Sequence, residues 1–273
     1  MNSGFYTKLA NRVYENDIDN QMLYLEMFAS KVRNMPLDTL LKYKTFFVPD
    51  DFYLYDMSDG LAQNPKYGLY YGDKCIFSRR MVTPLPDFMG NVGGFVGYDD
   101  GSDLDDSEKD TLVKYIYLGK DVFEKGRYMF ITPEEYLKAR KEKYIAIVDG
   151  IYDKEMLSTY GVNATSLLGT NLTDYHKYYL KEIPYWIVPY DADGAGVDLY
   201  RYAKYLNNNT VALKFLGTKD IDEKLKQHGA VEKLINTIHQ MKREGFKLDA
   251  CIDFDEMGNV RKVPLVREKI IIS

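Results

Sequence analysis

Two aspartates one residue apart, Asp191 and Asp193, follow the apolar run from Tyr185 to Tyr190 and precede Gly194 and Gly196. Carboxylate oxygens suit a hard divalent cation such as Mg²⁺ or Mn²⁺. Such an ion orients a triphosphate and offsets the charge that develops during phosphoryl or nucleotidyl transfer. The two glycines allow a backbone or a phosphate to approach closely. Asp149 closes a second apolar run, Tyr144 to Val148, and can share the same cation if the two runs are neighbouring strands. A lone Asp-x-Asp is more often a loop or helix-cap feature. The case therefore rests on an ordered combination of motifs.

The elements that must position these acids alternate regularly. Tyr144 to Val148 reads as a strand, followed by a helix ending before Gly161, a strand over Val162 to Leu168 and a helix begun by Thr173. Tyr185 to Tyr190, a helix over about Ala195 to Leu206, a strand over Val211 to Leu216 and a helix from Asp222 continue the pattern. This alternation implies right-handed crossovers and a mostly parallel sheet, whose ligands gather at the carboxyl ends of the strands. Asp149-Gly150, Gly169-Thr170, Asp191 to Gly194 and Asp220-Ile221-Asp222 all fall there. Pro189 lacks a backbone donor, so it belongs at the end of its strand or at a bulge.

Upstream, Met22-Leu23-Leu25-Met27-Phe28 and Leu37-Leu40-Leu41 carry helical spacing, and residues 68–130 read as short strands broken by Gly, Pro and Asp. The acidic run Asp99 to Asp106 reads as a solvated loop. Downstream, Val231 to Glu244 forms a helix, and Leu248 to Phe254 with Val260 to Val266 form a hairpin or a loose extension.

At 273 residues, 45% hydrophobic and 28% charged, the composition is that of a globular protein rather than a disordered one. No window approaches the length of an apolar membrane span and no secretory signal opens the chain, which points to the cytoplasm and no membrane partner. Cys75 and Cys251 are not interleaved with His176, His228 or His239 at zinc-ligand spacing, so no zinc is expected in this chain. A net charge of −5 excludes a uniformly basic surface but not a local basic groove. His176, in the first turn of its helix, reads as a capping or packing residue, and Lys138, Arg140, Lys141 and Lys143 read as a solvated helix face.

Four motifs occur in order: Ile147-Val148-Asp149-Gly150-Ile151-Tyr152-Asp153, Leu168-Gly169-Thr170 through His176, Tyr190-Asp191-Ala192-Asp193-Gly194-Ala195-Gly196, and Asp220-Ile221-Asp222-Glu223 before Gly229. Together they resemble the Toprim region of bacterial DnaG-type DNA primases. Arg79-Arg80-Met81-Val82-Thr83-Pro84, then Gly94-Phe95-Val96-Gly97, resemble that family's arginine-containing strand and glycine-rich turn. Lys114-Tyr115 and Phe123-Glu124-Lys125-Gly126 resemble its later basic motifs.

The resemblance implies an α/β fold: a Toprim parallel sheet flanked by helices at 141–229, a mixed α+β N-terminal lobe at 1–140 and a short helical C-terminal extension at 230–273. It implies Asp149, Asp191 and Asp193 as catalytic metal carboxylates, with Asp220 and Asp222 as a further acidic pair near the metals. Arg80, Lys114 and Lys125 would contact template backbone or triphosphate. The implied activity is synthesis of short RNA primers on single-stranded DNA from ribonucleoside triphosphates with Mg²⁺ or Mn²⁺. A replicative helicase or a separate zinc-module protein would be the partner, and the compact core resembles phage-encoded versions.

Departures from the family pattern are Asp149 in place of glutamate, Tyr98 in place of an arginine, and Ile116-Tyr117-Leu118 in place of Asn-Ser-Pro. A Toprim nuclease and a catalytically degenerate primase-like protein that binds DNA or a replication partner stand as alternatives. A haloacid-dehalogenase phosphatase is disfavoured by Ala195.

Overall fold

The computed structural model describes residues 2–33, 35–99, 101, 112–190, 194–216, 230–247, 249–253 and 265–266. The chain divides into two compact units, Met1–Lys125 and Gly126–Ser273.

In the first unit, helix α1 (Ser3–Met27) runs into a π-helical turn over Phe28–Arg33, followed by α2 (Leu37–Lys42), strand β1 (Phe46–Val48) and α3 (Tyr53–Met57). A short hairpin, β2 (Tyr70–Tyr71) and β3 (Lys74–Cys75), precedes β4 (Arg80–Pro86), β5 (Val92–Tyr98) and β6 (Tyr115–Tyr117). The antiparallel sheet has the order β1-β4-β5-β6. Helix α1 starts well before the apolar cluster noted from the sequence, and its buried residues include Tyr6, Leu9, Ala10, Val13 and Leu25. Leu23 and Met27 of that cluster face solvent, because the buried stripe is set from the helix's first turns.

The residues read as a glycine-rich turn lie inside β5, which corrects that reading. Their glycines make room for aromatic rings. A Cβ at Gly94 would meet the Phe123 ring at 2.5 Å, and one at Gly97 would meet Phe77 at 2.5 Å.

The second unit contains α4 (Pro133–Glu142), β7 (Tyr144–Val148), α5 (Ile151–Thr159), β8 (Ala164–Ser166), α6 (Asp174–Leu180), β9 (Tyr185–Tyr190), α7 (Gly194–Leu206) and β10 (Thr210–Leu216). Helix α8 (Ala230–Arg243), β11 (Asp249–Asp253) and β12 (Leu265–Val266) follow. The sheet order is β12-β11-β10-β9-β7-β8, parallel from β8 through β11, with β12 antiparallel at the edge. This is the parallel sheet flanked by helices that the alternation predicts.

Helix α4, assigned from sequence to the first lobe, packs with this sheet. Its capping box is complete: Thr132 accepts from the Glu135 amide and Glu135 accepts from the Thr132 amide. At the other end β11 joins β10 in parallel instead of hanging as a loose tail, and Asp249 Oδ1 accepts from the Ala212 amide at 2.7 Å. Among the described residues no helix is long and apolar enough to cross a membrane.

Candidate active site

The apolar strand β7 is buried along its whole length, and Asp149, the next residue, is exposed. A tight strand-to-helix turn puts it there. Gly150 is the N-cap of α5, and a Cβ on it would meet the Asp153 carboxylate at 2.5 Å. Ser166 Oγ donates to the Asp149 carbonyl at 2.7 Å and accepts from the Leu168 amide at 3.1 Å, tying the carboxyl ends of β7 and β8 together. Leu168 has φ +58° and Gly169 φ +148°, so the loop after β8 bends sharply at the same edge. The bond to Ser166 uses the Asp149 backbone, not its carboxylate.

Strand β9 lies directly beside β7, with Tyr144 opposite Tyr185 and Ala146 opposite Ile187. That ladder ends two residues before Pro189, which is opposite Leu213 of β10 near the end of its strand, where the missing donor costs little. β9 ends at Tyr190 and α7 begins at Gly194. Asp191 and Asp193, between them in sequence, lie outside the described residues, as do Asp220 and Asp222 and most of the acidic run at 99–106. Among the described residues no cluster of three or more His, Cys, Asp or Glu side chains could hold a metal ion. Of the five acids read as metal ligands, Asp149 alone is described. Its exposed carboxylate, at the carboxyl end of a strand adjacent to β9, has the oxygen chemistry a hard divalent ion takes.

The basic residues belong to the first unit. Arg80 is 9% exposed, and it donates to the carbonyls of Val113 at 2.9 Å and Lys114 at 3.3 Å, with Asp99 at 4.0 Å. Burial pulls its pKa below the ordinary arginine value, and Asp99 opposes that shift. Lys114, just before β6, and Lys125 are exposed, and the Lys125 ammonium sits 4.5 Å from the centre of the Tyr117 ring.

Three features escaped the sequence reading. The Arg33 guanidinium, from the segment without a matching motif, lies 4.2 Å over the Tyr98 ring and donates to the Tyr115 hydroxyl at 2.9 Å. Lys154 is fully buried and bonds Glu135 at 2.6 Å, while its neighbour Glu155 is fully buried as well. No periodicity signals these, because a buried charge departs from the apolar pattern that marks a core.

His176 fulfils its predicted capping role. Nδ1 accepts from the Thr173 amide at 3.1 Å, and Nε2 faces the Tyr128 carbonyl at 2.7 Å, which fixes Nε2 as the protonated nitrogen of a neutral ring. Burial holds its pKa below 6.5. On α4, Lys138 bonds the Gly161 carbonyl and Arg140 pairs with Glu182, as befits a solvated face.

No family model matches the sequence. The chain is 29% identical over 216 residues to a DNA primase of Borreliella burgdorferi, which covers 72% of this chain and 38% of that protein. It is 31% identical over 125 residues to the DNA primase of Escherichia coli strain K12, covering 45% of this chain and 20% of the relative. The chain thus spans well under half the length of these curated relatives.

Among solved structures, a DnaG catalytic core superposes with a TM-score of 0.63 at 22% identity, covering 82% of this chain and 77% of that one. The Aquifex aeolicus primase fragment with zinc-binding and RNA polymerase domains superposes at 0.67 with 23% identity, covering 88% and 62%. The E. coli primase catalytic core superposes at 0.63 with 20% identity, covering 89% and 82%. The chain has the fold of the DnaG primase catalytic core and is similar in sequence to the bacterial DNA primases.

Proposed function

We propose that this chain is a primase catalytic core that joins ribonucleotides into short primers on single-stranded DNA. The observation that carries the reading is an exposed Asp149 at the carboxyl end of β7, directly beside the strand that leads into Asp191 and Asp193. Asp149, Asp191 and Asp193, with Asp220 and Asp222 nearby, would hold Mg²⁺ or Mn²⁺. When bound, these ions would supply Lewis-acid stabilisation of the phosphoryl charge.

The chain's own residues do the remaining work. Gly150 and Ser166 fix the turn that presents Asp149. The exposed ammonium groups of Lys114 and Lys125 offer positive charge to template or triphosphate oxygens. Arg80 acts through the carbonyls it holds, keeping the entry to β6 in place. The relatives' DNA-bound structure, a DnaG primase catalytic domain with single-stranded DNA, supports a single-stranded template. Ribonucleoside triphosphates are the proposed substrates, a helicase or zinc-module protein the proposed partner, and the cytoplasm the proposed location.

The test is incorporation of labelled ribonucleotides on mixed single-stranded DNA templates with Mg²⁺ and separately Mn²⁺, comparing the wild type with Asp191→Ala. Short RNA made by the wild type and lost in the variant establishes the reading. Degraded template replaces it with a nuclease. Template binding without incorporation under either metal replaces it with a binding protein.

A further inference from the structure

Helices α6 and α7 both start at the carboxyl edge of the parallel sheet and finish at its amino edge: α6 leads from β8 to β9, and α7 from β9 to β10. Between them, at the amino edge, lies a cavity of about 580 Å³. Ile183, Pro184, Trp186 and Leu206 contribute its apolar lining, and Lys177, Tyr178 and Lys181 of the α6 side line it as well. The Trp186 indole N–H is spent on the carbonyls of Leu180 and Ile183, so the ring is locked in place. That size falls within the range of small-ligand pockets and admits a nucleobase.

The rim combines aromatic rings with cations. Tyr178, Tyr202 and Tyr205 are 61%, 40% and 82% exposed, and burial in the core explains none of the three. Lys181 lies 4.3 Å over the Tyr178 ring and Lys177 5.6 Å over the Tyr202 ring, while the Tyr202 and Tyr205 rings are within 11° of parallel. The one carboxylate lining the cavity is matched, Asp174 by Lys177 at 2.9 Å, as are Asp198 of α7 by Arg201 at 3.7 Å and Glu182 after α6 by Arg140 at 3.2 Å. Lys181 and Lys204 are left as surplus positive charge, with Lys204 placed by the carbonyls of Asn208 and Thr210.

Exposed aromatic faces beside flexible cations are the elements of a sequence-tolerant single-strand site, where bases stack and phosphates pair with lysine. We propose that the cleft between α6 and α7 binds single-stranded nucleic acid, its bases on Tyr178, Tyr202 and Tyr205 and its phosphates at Lys181. The inference deepens the primase reading by giving a strand that leaves the Asp149 edge a path down the outer helices. A strand of five or six residues is about 17–20 Å long. At about 3.4 Å per stacked nucleotide, that path spans about five or six nucleotides.

The experiment uses the full chain with oligothymidylate and oligouridylate of five and eighteen nucleotides, read by fluorescence anisotropy, for the wild type, Tyr178→Ala and Lys181→Glu. Both positions probed are on the surface, so the fold is retained. Each variant is expected to bind one or both 18-mers about fivefold or more weakly, Tyr178→Ala through one lost base stack of about 1 kcal/mol and Lys181→Glu through a reversed phosphate contact. The 5-mers match the length of the cleft path and are expected to weaken in the same variants. Ultraviolet crosslinking of a bromouracil-substituted 18-mer should map to the α6–α7 cleft.

Loss confined to thymidylate assigns the track to template, and loss confined to uridylate assigns it to product. Either outcome supports the site. Unchanged 18-mer affinity in both variants, or crosslinks only outside the cleft, overturns it. Crosslinks in the cleft without ribonucleotide incorporation would remove the primase reading and leave this one standing.

Discussion

The two units bury different charges: arginines in the first, a lysine and a glutamate in the second. In the first, Arg80 and Arg33 are nearly buried in and beside an antiparallel sheet and are committed to carbonyls, a tyrosine ring and a tyrosine hydroxyl. In the second, the acid read as catalytic, Asp149, stands exposed at a strand end, while the buried Lys154, paired with the partly exposed Glu135, holds α5 against the cap of α4. The contrast separates two uses of charge. A buried ion partnered on every side organises a fold, and its loss is felt as instability. An exposed carboxylate at a strand end contributes little to stability and is available to a substrate or metal.

Substitutions can break or sharpen that contrast. The largest effect is expected from Asp149→Asn, which should lower ribonucleotide incorporation by roughly 100-fold or more, or about 3 kcal/mol in barrier. Its thermal midpoint should match the wild type. An equal fall in midpoint would erase the distinction between the two uses of charge.

Lys154→Ala should cost about 3 kcal/mol in urea unfolding, since it leaves a cavity and strips Glu135 of its cationic partner. Lys154→Met should recover most of that by filling the space. Next, Gly97→Ala drives a methyl into the Phe77 ring and should cost about 1–3 kcal/mol in the same assay, with DNA contacts unaltered in chemistry.

Lys114→Ala should leave unfolding unchanged, weaken binding of single-stranded DNA a few-fold and reduce the salt-dependence slope by about one. If instead it destabilises the chain as a buried arginine substitution would, the contrast fails in the first unit.

The smallest effect concerns pH. His176 is held below 6.5 by burial, so the folded state binds this proton less readily than the unfolded state. Its contribution is fully present above pH 6.5 and declines as the pH falls below that value. Unfolding measured from pH 7.5 to 5 should steepen in the wild type relative to His176→Gln.

Much of the second unit was legible because its strands are buried on both faces and its helices are capped by local chemistry. Thr173 marked the start of α6, Gly161 the end of the preceding helix, and Pro189 its own place near a strand end. The first unit was less legible. Its glycines were matched to a turn through the family resemblance alone, whereas Gly94 and Gly97 lie in a strand and admit Phe123 and Phe77, residues distant along the chain. The α1 apolar cluster signalled a helix that is present, but which of its residues are buried, Leu25 and Phe28 rather than Leu23 and Met27, depends on what the helix meets.

By itself, the sequence determined the alternation of strands and helices, the helix caps and the placement of Asp149 at a strand end. These follow from local periodicity, φ preferences and hydrogen bonds within a few residues. Only the tertiary structure decided that β9 lies beside β7, that β11 extends the same sheet, that Arg80 is held by backbone carbonyls, and that Arg33 stacks on Tyr98. Those outcomes depend on contacts between residues far apart in the chain, and the burial that selects them is a property of the whole packed unit.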